Sequence, residues 1–535
     1  MSFTSIVFLL FLLGLSIVYF LMPKKYQWIV LLVGSYVFYL SAGIELVFYI
    51  LFSTLTAFFG ARLLERLTNS YKLASADVSA AADKKILRAK STRQRKTVIA
   101  LVLVLNFSIL VFFKHFNAFA SYLNALLGLV QVDAQMPQLN LLLPLGISFY
   151  TFQSMGYLID VYRGKFKADR HVAKFALFVS FFPQLIQGPI SRYDDLAHQL
   201  YEGHKFDFDR MKKGAVLMLW GLFKKLVIGD RVAILVNTIF DAPSTYTGAY
   251  VLLGVLLYSI QIYADFSGGV DIARGAAQIL GIDLADNFER PYFATTIPDF
   301  WRRWHVTLNS WWRDYVFYPL TFSKGFGKFG KSCRKLFNAK WGKLIPVYTA
   351  TMLVRIINAL WHGASFKFIA FGFYHGILII LGMQLEPFFL KLADKLSINT
   401  KCFSWKLFRI LRTFAVVCVG RLFLVADSFS GSMQLFGNIS AMFGSSGNKG
   451  LGVLFDGSLL KLGLTGNALF VLFLAIAVWF LVDISNEKGL QLRDRLLRQN
   501  MLFQWVVLIA LIVSVAVFGV YGPQYSATSF IYQQF

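Results

Sequence analysis

Two short stretches of the chain place a histidine among tryptophans and polar residues: Phe300-Trp301-Arg302-Arg303-Trp304-His305-Val306-Thr307-Leu308-Asn309 and Asn358-Ala359-Leu360-Trp361-His362-Gly363. The chain around them consists largely of apolar runs. A polar group inside a membrane costs free energy unless it is paired or borders a wet cavity. His305 and His362 are therefore the first candidates for residues that carry chemistry.

The composition indicates an integral membrane protein. Of 535 residues, 57% are hydrophobic and only 15% are charged, and a water-soluble chain of this length needs more charged surface. At roughly 20 residues per crossing, the apolar runs predict about 11 to 13 transmembrane helices. Positive charge follows the first run and does not precede it, so this run is expected to be a retained span. The expected fold is an all-α polytopic membrane protein with additional short re-entrant or interfacial helices.

The positive charge of the chain follows the pattern of membrane topology. The formal net charge is +25; residues 62–96 contain ten Lys or Arg and three acids, and residues 322–343 contain seven and none. Both stretches lie beside apolar runs, and such basic segments collect on the cytoplasmic side. We therefore expect loops 64–96 and 322–343 in the cytoplasm, the N-terminus outside, and membrane lipids but no nucleic acid as partners.

The whole chain, residues 1–535, is expected to form one polytopic membrane domain. It divides by composition into N-terminal helices with a basic loop (1–96), a catalytic core (97–400) and C-terminal helices (401–535). Residues 181–193 contain two prolines and two glutamines, which predict a broken helix. The three cysteines, Cys333, Cys402 and Cys418, and the seven scattered histidines lack the spacing of metal ligands, so no metal site is predicted. No tightly bound cofactor is expected either.

Polar residues concentrate around the first histidine. If residues 298–318 form one helix, Asp299 can pair with Arg303. The same helix would align Trp301, His305, Leu308, Asn309 and Trp312 on one face. Four tryptophans between residues 301 and 312 could wall an apolar pocket with hydrogen-bond donors at its rim.

Around the second histidine, Arg355, Asn358 and His362 have the spacing of one helical face, and Gly363 can end the helix. An imidazole of near-neutral pKa suits the transfer of protons in catalysis. Asn358, Arg355 or the Trp361 indole could orient the imidazole or stabilise charge. In the alternative interpretation, each histidine is a buried structural residue, which is the role expected for His375.

Several motifs resemble the membrane-bound O-acyltransferase superfamily, and more narrowly its bacterial branch of alginate O-acetyltransferase membrane subunits and teichoic acid D-alanyl transfer proteins. Besides the two histidine stretches, the resemblance rests on Leu143-Pro144-Leu145-Gly146-Ile147-Ser148-Phe149, Asp160-Val161-Tyr162-Arg163-Gly164, Gln187-Gly188-Pro189-Ile190-Ser191-Arg192-Tyr193, Asp265-Phe266-Ser267-Gly268, Asn287-Phe288, Pro291-Tyr292, Trp311-Trp312-Arg313-Asp314-Tyr315 and Phe530-Ile531-Tyr532-Gln533-Gln534-Phe535. The chain departs from the family pattern at Thr307, Asn309, Gly269-Val270 and Gly420-Arg421-Leu422-Phe423.

The resemblance implies that His362 is the catalytic histidine and that His305 is a second functional histidine on a tunnel through the protein. The supporting or tunnel residues are then Asn358, Trp361, Arg355, Trp304, Asn309, Asp265 and Ser267, while the residues that bind the donor remain unassigned. The donor is expected to be cytoplasmic acetyl-CoA or another acyl thioester.

The resemblance further implies O-acetylation of an exported or cell-surface polysaccharide from the bacterial inner membrane, together with an extracytoplasmic acetyltransferase. Two alternatives remain open at this point. One is D-alanyl transfer to teichoic acid from a carrier protein. The other is transport of a polysaccharide or lipid-linked intermediate without acyl chemistry, because intramembrane Asp, Arg and His residues also serve transport pathways.

Overall fold

The computed structural model describes residues 1–521, apart from residues 133, 441, 443–449, 451 and 453–454. The terminal motif from Phe530 to Phe535 lies outside the described residues. The expected all-α fold is confirmed, and the only strand-like pairing in the described part is one antiparallel bridge between Phe288 and Trp304. The chain divides into two compact units, residues 1–215 with 273–285 and residues 216–272 with 286–535.

The first unit begins with eight helices. They are α1 (Ile6–Leu21), α2 (Lys24–Leu40), α3 (Val47–Ala76), α4 (Ala81–Leu129), α5 (Ile147–Arg163), α6 (Val172–Ser180), α7 (Phe182–Leu185) and α8 (Tyr193–Tyr201). The basic stretch 62–96 is largely helical, because α3 and α4 continue beyond their apolar parts and leave only residues 77–80 between them. The predicted break in residues 181–193 is also present: α7 has four residues, and a buried non-helical segment follows it.

The helices that follow are α9 (Phe208–Leu222), α10 (Asp230–Phe240), α11 (Ala249–Ile279), α12 (Ile297–Arg303), α13 (Val306–Trp312), α14 (Tyr318–Thr321), α15 (Lys324–Leu336), α16 (Trp341–His362), α17 (Phe366–Lys395), α18 (Phe403–Val425), α19 (Phe429–Ser440), α20 (Gly466–Glu487), α21 (Leu492–Leu497) and α22 (Met501–Phe518). Short 3₁₀ segments are Ile44–Leu46, Pro291–Phe293 and Ser458–Lys461. Helices α9 and α11 contribute residues to both units. The second unit contains both histidine stretches.

A π-helix, Phe223–Gly229, joins α9 to α10 and carries two buried lysines. The ammonium group of Lys224 lies 2.7 Å from the Asp271 carboxylate, and that of Lys225 lies 2.7 Å from Asp230 and also contacts Asp265. A buried charge destabilises a protein unless an opposite charge compensates it. Each lysine of the π-helix is therefore compensated within the unit that contains it.

Seven described helices are long and apolar enough to cross a membrane. By length and composition they are Ile44–Ala76, Ala81–Leu129, Ala249–Ile279, Trp341–His362, Phe366–Lys395, Gly466–Glu487 and Met501–Phe518. The sequence predicted about 11 to 13 crossings. The higher number included shorter apolar helices such as α1, which has 16 residues. The protein is a multi-pass membrane protein.

The contact between α9 and α11 yields a first prediction. A Cβ at Gly221 would lie 2.5 Å from the Gly268 carbonyl oxygen, so Gly221→Ala forces two backbones apart. We expect a loss of about 1–3 kcal/mol in the free energy of unfolding, measured by denaturation in detergent micelles. Gly382→Ala is the matched control, because a Cβ there meets nothing within 4 Å. An equal effect of the two substitutions would contradict the close packing.

Candidate active site

The first histidine stretch contains a break in the helix. The prediction of a single helix over residues 298–318 is wrong: α12 ends at Arg303, α13 begins at Val306, and His305 has a left-handed backbone with φ of 47°. Residues 287–289 supply the physical reason. Glu289 N–H donates to the Arg303 carbonyl at 2.9 Å, and Val306 N–H donates to the Asn287 carbonyl at 3.0 Å. These bonds replace the helical hydrogen bonds that a continuous helix would make.

Ion pairs hold the end of α12 in place. The predicted pair is confirmed, since the Arg303 guanidinium lies 3.3 Å from Asp299. Arg303 also lies 3.0 Å from Glu487 on α20. Thr296 caps the start of α12, because its hydroxyl accepts from Asp299 N–H. The short helix is thus fixed at both ends.

Asn287 determines the state of the His305 imidazole. Its side-chain oxygen accepts from the Thr307 backbone N–H at 3.1 Å and from the Thr307 hydroxyl at 2.8 Å, and it lies 3.1 Å from His305 Nδ1. The Thr307 backbone N–H identifies this atom as the amide oxygen, and because an amide oxygen carries no proton, His305 Nδ1 is the donor in this contact. The neutral imidazole then offers the lone pair of Nε2.

Burial keeps this imidazole neutral. His305 is 1% exposed and lies outside the seven candidate spans. Its desolvation lowers the pKa of His305 to about 3. The Phe266 ring meets the imidazole edge-on at 4.9 Å between ring centres. His305 is therefore a neutral hydrogen-bonding group throughout the physiological pH range.

The second histidine stretch forms the predicted helix end. Helix α16 ends at His362, and the next residue, Gly363, is extended. His362 borders a narrow cavity of about 20 Å³, which is space for one water-sized group. The other residues that line this cavity are Ile262, Trp301, Trp304, Phe368, Phe371, Arg421 and Leu424. The cavity is mostly aromatic and contains one imidazole and one guanidinium group.

The two histidine stretches meet through three side chains. Trp361 contacts both imidazoles, with ring centres 6.4 Å from His305 and 4.6 Å from His362. The Arg355 guanidinium lies over the Trp301 ring at 4.6 Å and 3.5 Å from the Asn309 side-chain oxygen. Asn309 in turn donates to the Trp304 carbonyl at 2.7 Å. Residues that are distant in sequence therefore converge on one region.

Three other predicted site residues have different surroundings. Asp265 pairs with Lys225, and Ser267 accepts from the Lys224 ammonium group at 2.9 Å, so both belong to the ion pairs of the π-helix. Neither is among the residues that line the cavity. Asn358 is 6% exposed, and its side-chain oxygen has no hydrogen-bond partner among the described residues.

His375 has the packing environment that was expected. It is 1% exposed and meets the Trp301 ring edge-on at 5.1 Å. Within the described ranges, no group of three or more His, Cys, Asp or Glu side chains is placed to hold a metal ion.

Sequence reasoning did not identify Arg421 as a site residue. Arg421 lines the same cavity as His362, is 3% exposed, and lies with its Cζ 4.5 Å from the centre of the Trp304 ring. The sequence did carry a signal for it. Between Thr413 and Val425, on α18, Arg421 is the only charged residue, and it follows a glycine. An isolated charge in an apolar helix indicates a functional position.

Comparison with known proteins gives consistent similarities. A model of the membrane-bound O-acyltransferase family matches residues 167–337. A probable alginate O-acetylase of Pseudomonas syringae pv. tomato is 32% identical over 91% of this chain and 83% of its own length. A peptidoglycan O-acetyltransferase of Helicobacter pylori is 33% identical over 55% of this chain and 56% of its own length. A teichoic acid D-alanyltransferase of Bacillus subtilis is 29% identical over 53% of this chain and 69% of its own length.

Asn287 generates a prediction about stability. Asn287→Ala removes the acceptor that three donors on Thr307 and His305 share, two of them on buried side chains, and loss of the acceptor of a buried donor costs about 1–3 kcal/mol. We expect a loss of several kcal/mol in the free energy of unfolding, measured in detergent. Asn399→Ala is the control, because Asn399 is exposed and its side-chain oxygen accepts one bond, from the Lys401 backbone N–H. A loss no larger than that of the control would disprove the anchoring role of Asn287.

Proposed function

The chain belongs to the membrane-bound O-acyltransferase family, and on this basis we propose that it transfers an acetyl group from acetyl-CoA for the O-acetylation of an exported or cell-surface polysaccharide. The chain is thus an acyltransferase. The observation that carries the proposal is the similarity to probable alginate O-acetylases over 91% of the chain at 31–32% identity. The peptidoglycan O-acetyltransferase supports the same reaction class.

The extent of similarity favours acetyl transfer over D-alanyl transfer. The D-alanyltransferase of Bacillus subtilis matches 53% of this chain, whereas the probable alginate O-acetylase of Pseudomonas syringae matches 91%. D-alanyl transfer stays the second candidate, and its donor would be a carrier protein. Transport without chemistry is the weaker alternative, because an acyltransferase family and a histidine beside an internal cavity both support group transfer.

His362 is the proposed catalytic base. It takes the proton from the attacking hydroxyl while the hydroxyl oxygen forms a bond to the thioester carbonyl carbon. The carbon–sulfur bond then breaks, and the departing thiolate receives the proton. Trp361 packs against the imidazole, and the buried Asn358 oxygen lies four residues earlier on the same helix. A transient acyl group on His362 itself would be an alternative order of the same bond changes.

The region around His305 is proposed to form the donor side of the site. His305 and Asn309 would line the path of the donor, with a neutral imidazole that can accept a hydrogen bond. Helix α15 offers positive charge to the phosphates of coenzyme A through Lys324, Lys328, Lys331, Arg334 and Lys335. Acetyl-CoA is a substrate in this scheme and not a resident cofactor.

Location and partners follow from the same scheme. The proposed site of action is the bacterial inner membrane, with the N-terminus outside and the basic stretches 64–96 and 322–343 in the cytoplasm. The acetyl group would pass to an extracytoplasmic acetyltransferase that modifies the polysaccharide. Membrane lipids surround the apolar helices, and nucleic acid has no role.

Replacement of His362 tests the proposed chemistry. His362→Ala should lower the rate of thiol release from acetyl-CoA by at least about 100-fold, because no other base borders the cavity in the described structure. The assay uses purified protein in lipid nanodiscs with an acceptor polysaccharide. His198→Gln is the control, since His198 is exposed on α8. Full turnover by His362→Ala in a folded protein would refute the assignment.

Cysteine labelling tests the orientation. In a variant without native cysteines, Ser2→Cys should react with a membrane-impermeant maleimide in intact spheroplasts. Thr92→Cys, in the basic part of α4, should react only after permeabilisation. Both positions are exposed, so access depends on the side of the membrane and not on burial. The reverse pattern would show that the topology is inverted.

A further inference from the structure

Arg421 is a buried cation beside His362 without a compensating acid. Its guanidinium borders the cavity and stacks on Trp304. Within the described residues it forms no ion pair, and its Nε and Nη2 groups are buried without a hydrogen-bond acceptor. The Tyr292 hydroxyl hydrogen-bonds to the guanidinium and donates to the Ser259 carbonyl, but it supplies no negative charge. Burial of such a group is unfavourable unless a ligand supplies the negative charge.

Two other buried cations of the same unit each have a carboxylate partner. Lys224 and Lys225 are 5% and 2% exposed, similar to Arg421, and each contacts a carboxylate. Those lysines lie in the π-helix and do not line the cavity. Of these three buried cations, Arg421 alone borders the cavity, and it alone lacks a carboxylate partner. This contrast indicates that Arg421 is kept for an anion that arrives during the reaction.

Packing around Gly420 holds Arg421 at this depth. A Cβ at Gly420 would lie 2.7 Å from His375 Nε2, so only glycine allows α18 to approach α17 this closely. His375 is itself fixed by the edge-on contact with Trp301. Arg421, the next residue, therefore lies on a backbone that packs closely against α17, the helix that contributes Phe368 and Phe371 to the cavity.

The size of the cavity is compatible with a small anion. The volume of about 20 Å³ is space for one water-sized group beside the guanidinium. A single negatively charged oxygen has the required size. Acyl transfer from a thioester produces one when the carbonyl electrons move onto oxygen as the new carbon–oxygen bond forms.

We propose that Arg421 binds and stabilises the oxyanion of the tetrahedral intermediate in acyl transfer. This role rests on the proposed function. The acceptor oxygen bonds to the carbonyl carbon, the carbonyl π electrons move to oxygen, and Arg421 N–H groups donate to that oxygen. When the intermediate collapses, the carbon–oxygen double bond forms again, the carbon–sulfur bond breaks, and the thiolate takes the proton held by His362. Arg421 acts as a fixed donor and exchanges no proton.

Substitution at Arg421 separates this role from a structural one. Arg421→Met should lower kcat by about 100- to 1000-fold and change KM for acetyl-CoA by less than about threefold, as expected for a lost oxyanion donor. Its unfolding temperature in detergent should be equal to or above that of the wild type, because an uncompensated buried cation is removed. Arg421→Lys should recover part of kcat, since it keeps the charge without the planar donor fork. Arg409→Met is the control, on the same helix and half-exposed.

Several other outcomes would overturn the assignment of Arg421 or of the donor. Unchanged kcat in Arg421→Met would exclude the catalytic role, and a parallel loss of kcat and unfolding temperature would assign Arg421 to the structure instead. A raised KM with unchanged kcat would mean that Arg421 binds a charged group of the donor in the ground state. If the wild type releases no thiol from acetyl-CoA while it turns over a carrier-bound D-alanyl donor, the acetyl donor is wrong; the same kcat comparison on that donor then decides the role of Arg421. If the wild type transfers no acyl group at all, the proposed function fails, and this role fails with it.

Discussion

The cost of burying a charge among apolar helices is the constraint on which the second unit depends. An isolated charge in a medium of low dielectric is strongly unfavourable, so every buried cation needs an anion or must have a use that offsets the cost. Lys224 and Lys225 satisfy this requirement through Asp271, Asp230 and Asp265. The two lysines are adjacent in sequence, and the π-helix still directs each to a carboxylate. Asp265 and Ser267 on α11 therefore bind these lysines, and neither lines the cavity.

A related constraint, that buried backbone groups need hydrogen-bond partners, applies at the break between α12 and α13. Ending a helix inside the protein leaves backbone donors and acceptors that water cannot reach. Residues 287–289 satisfy them with bonds to Arg303 and Val306, and the Asn287 side chain satisfies Thr307 and His305. His305 thus obtains an unusual backbone conformation and a defined tautomer from one neighbouring segment. In a continuous helix, the helical repeat alone would set the direction of the imidazole, and no contact with Asn287 would define its tautomer.

This difference determines how much could be predicted from the sequence. The end of α16 at His362 and the pair of Asp299 with Arg303 depend on residues within one or two turns, and both were predicted correctly. The break at His305 depends on a segment remote in sequence, and a helical pattern alone gives no warning of it. Arg421 was missed for the same reason: its helix is distant in sequence from both histidines, and only packing brings it to the cavity. Its isolation in an apolar helix was the one local signal.

The electrostatics of the site fit acyl transfer better than they fit tight binding of a charged ground state. A neutral imidazole at His305 adds no charge to the region, since burial lowers its pKa to about 3. A guanidinium without a carboxylate partner attracts negative charge most strongly where that charge is newly formed. Interactions that strengthen only in the transition state raise kcat, whereas those already complete with bound substrate do not. In the proposed mechanism, the uncompensated cation Arg421 lowers the stability of the resting protein and lowers the reaction barrier when an oxyanion forms beside His362.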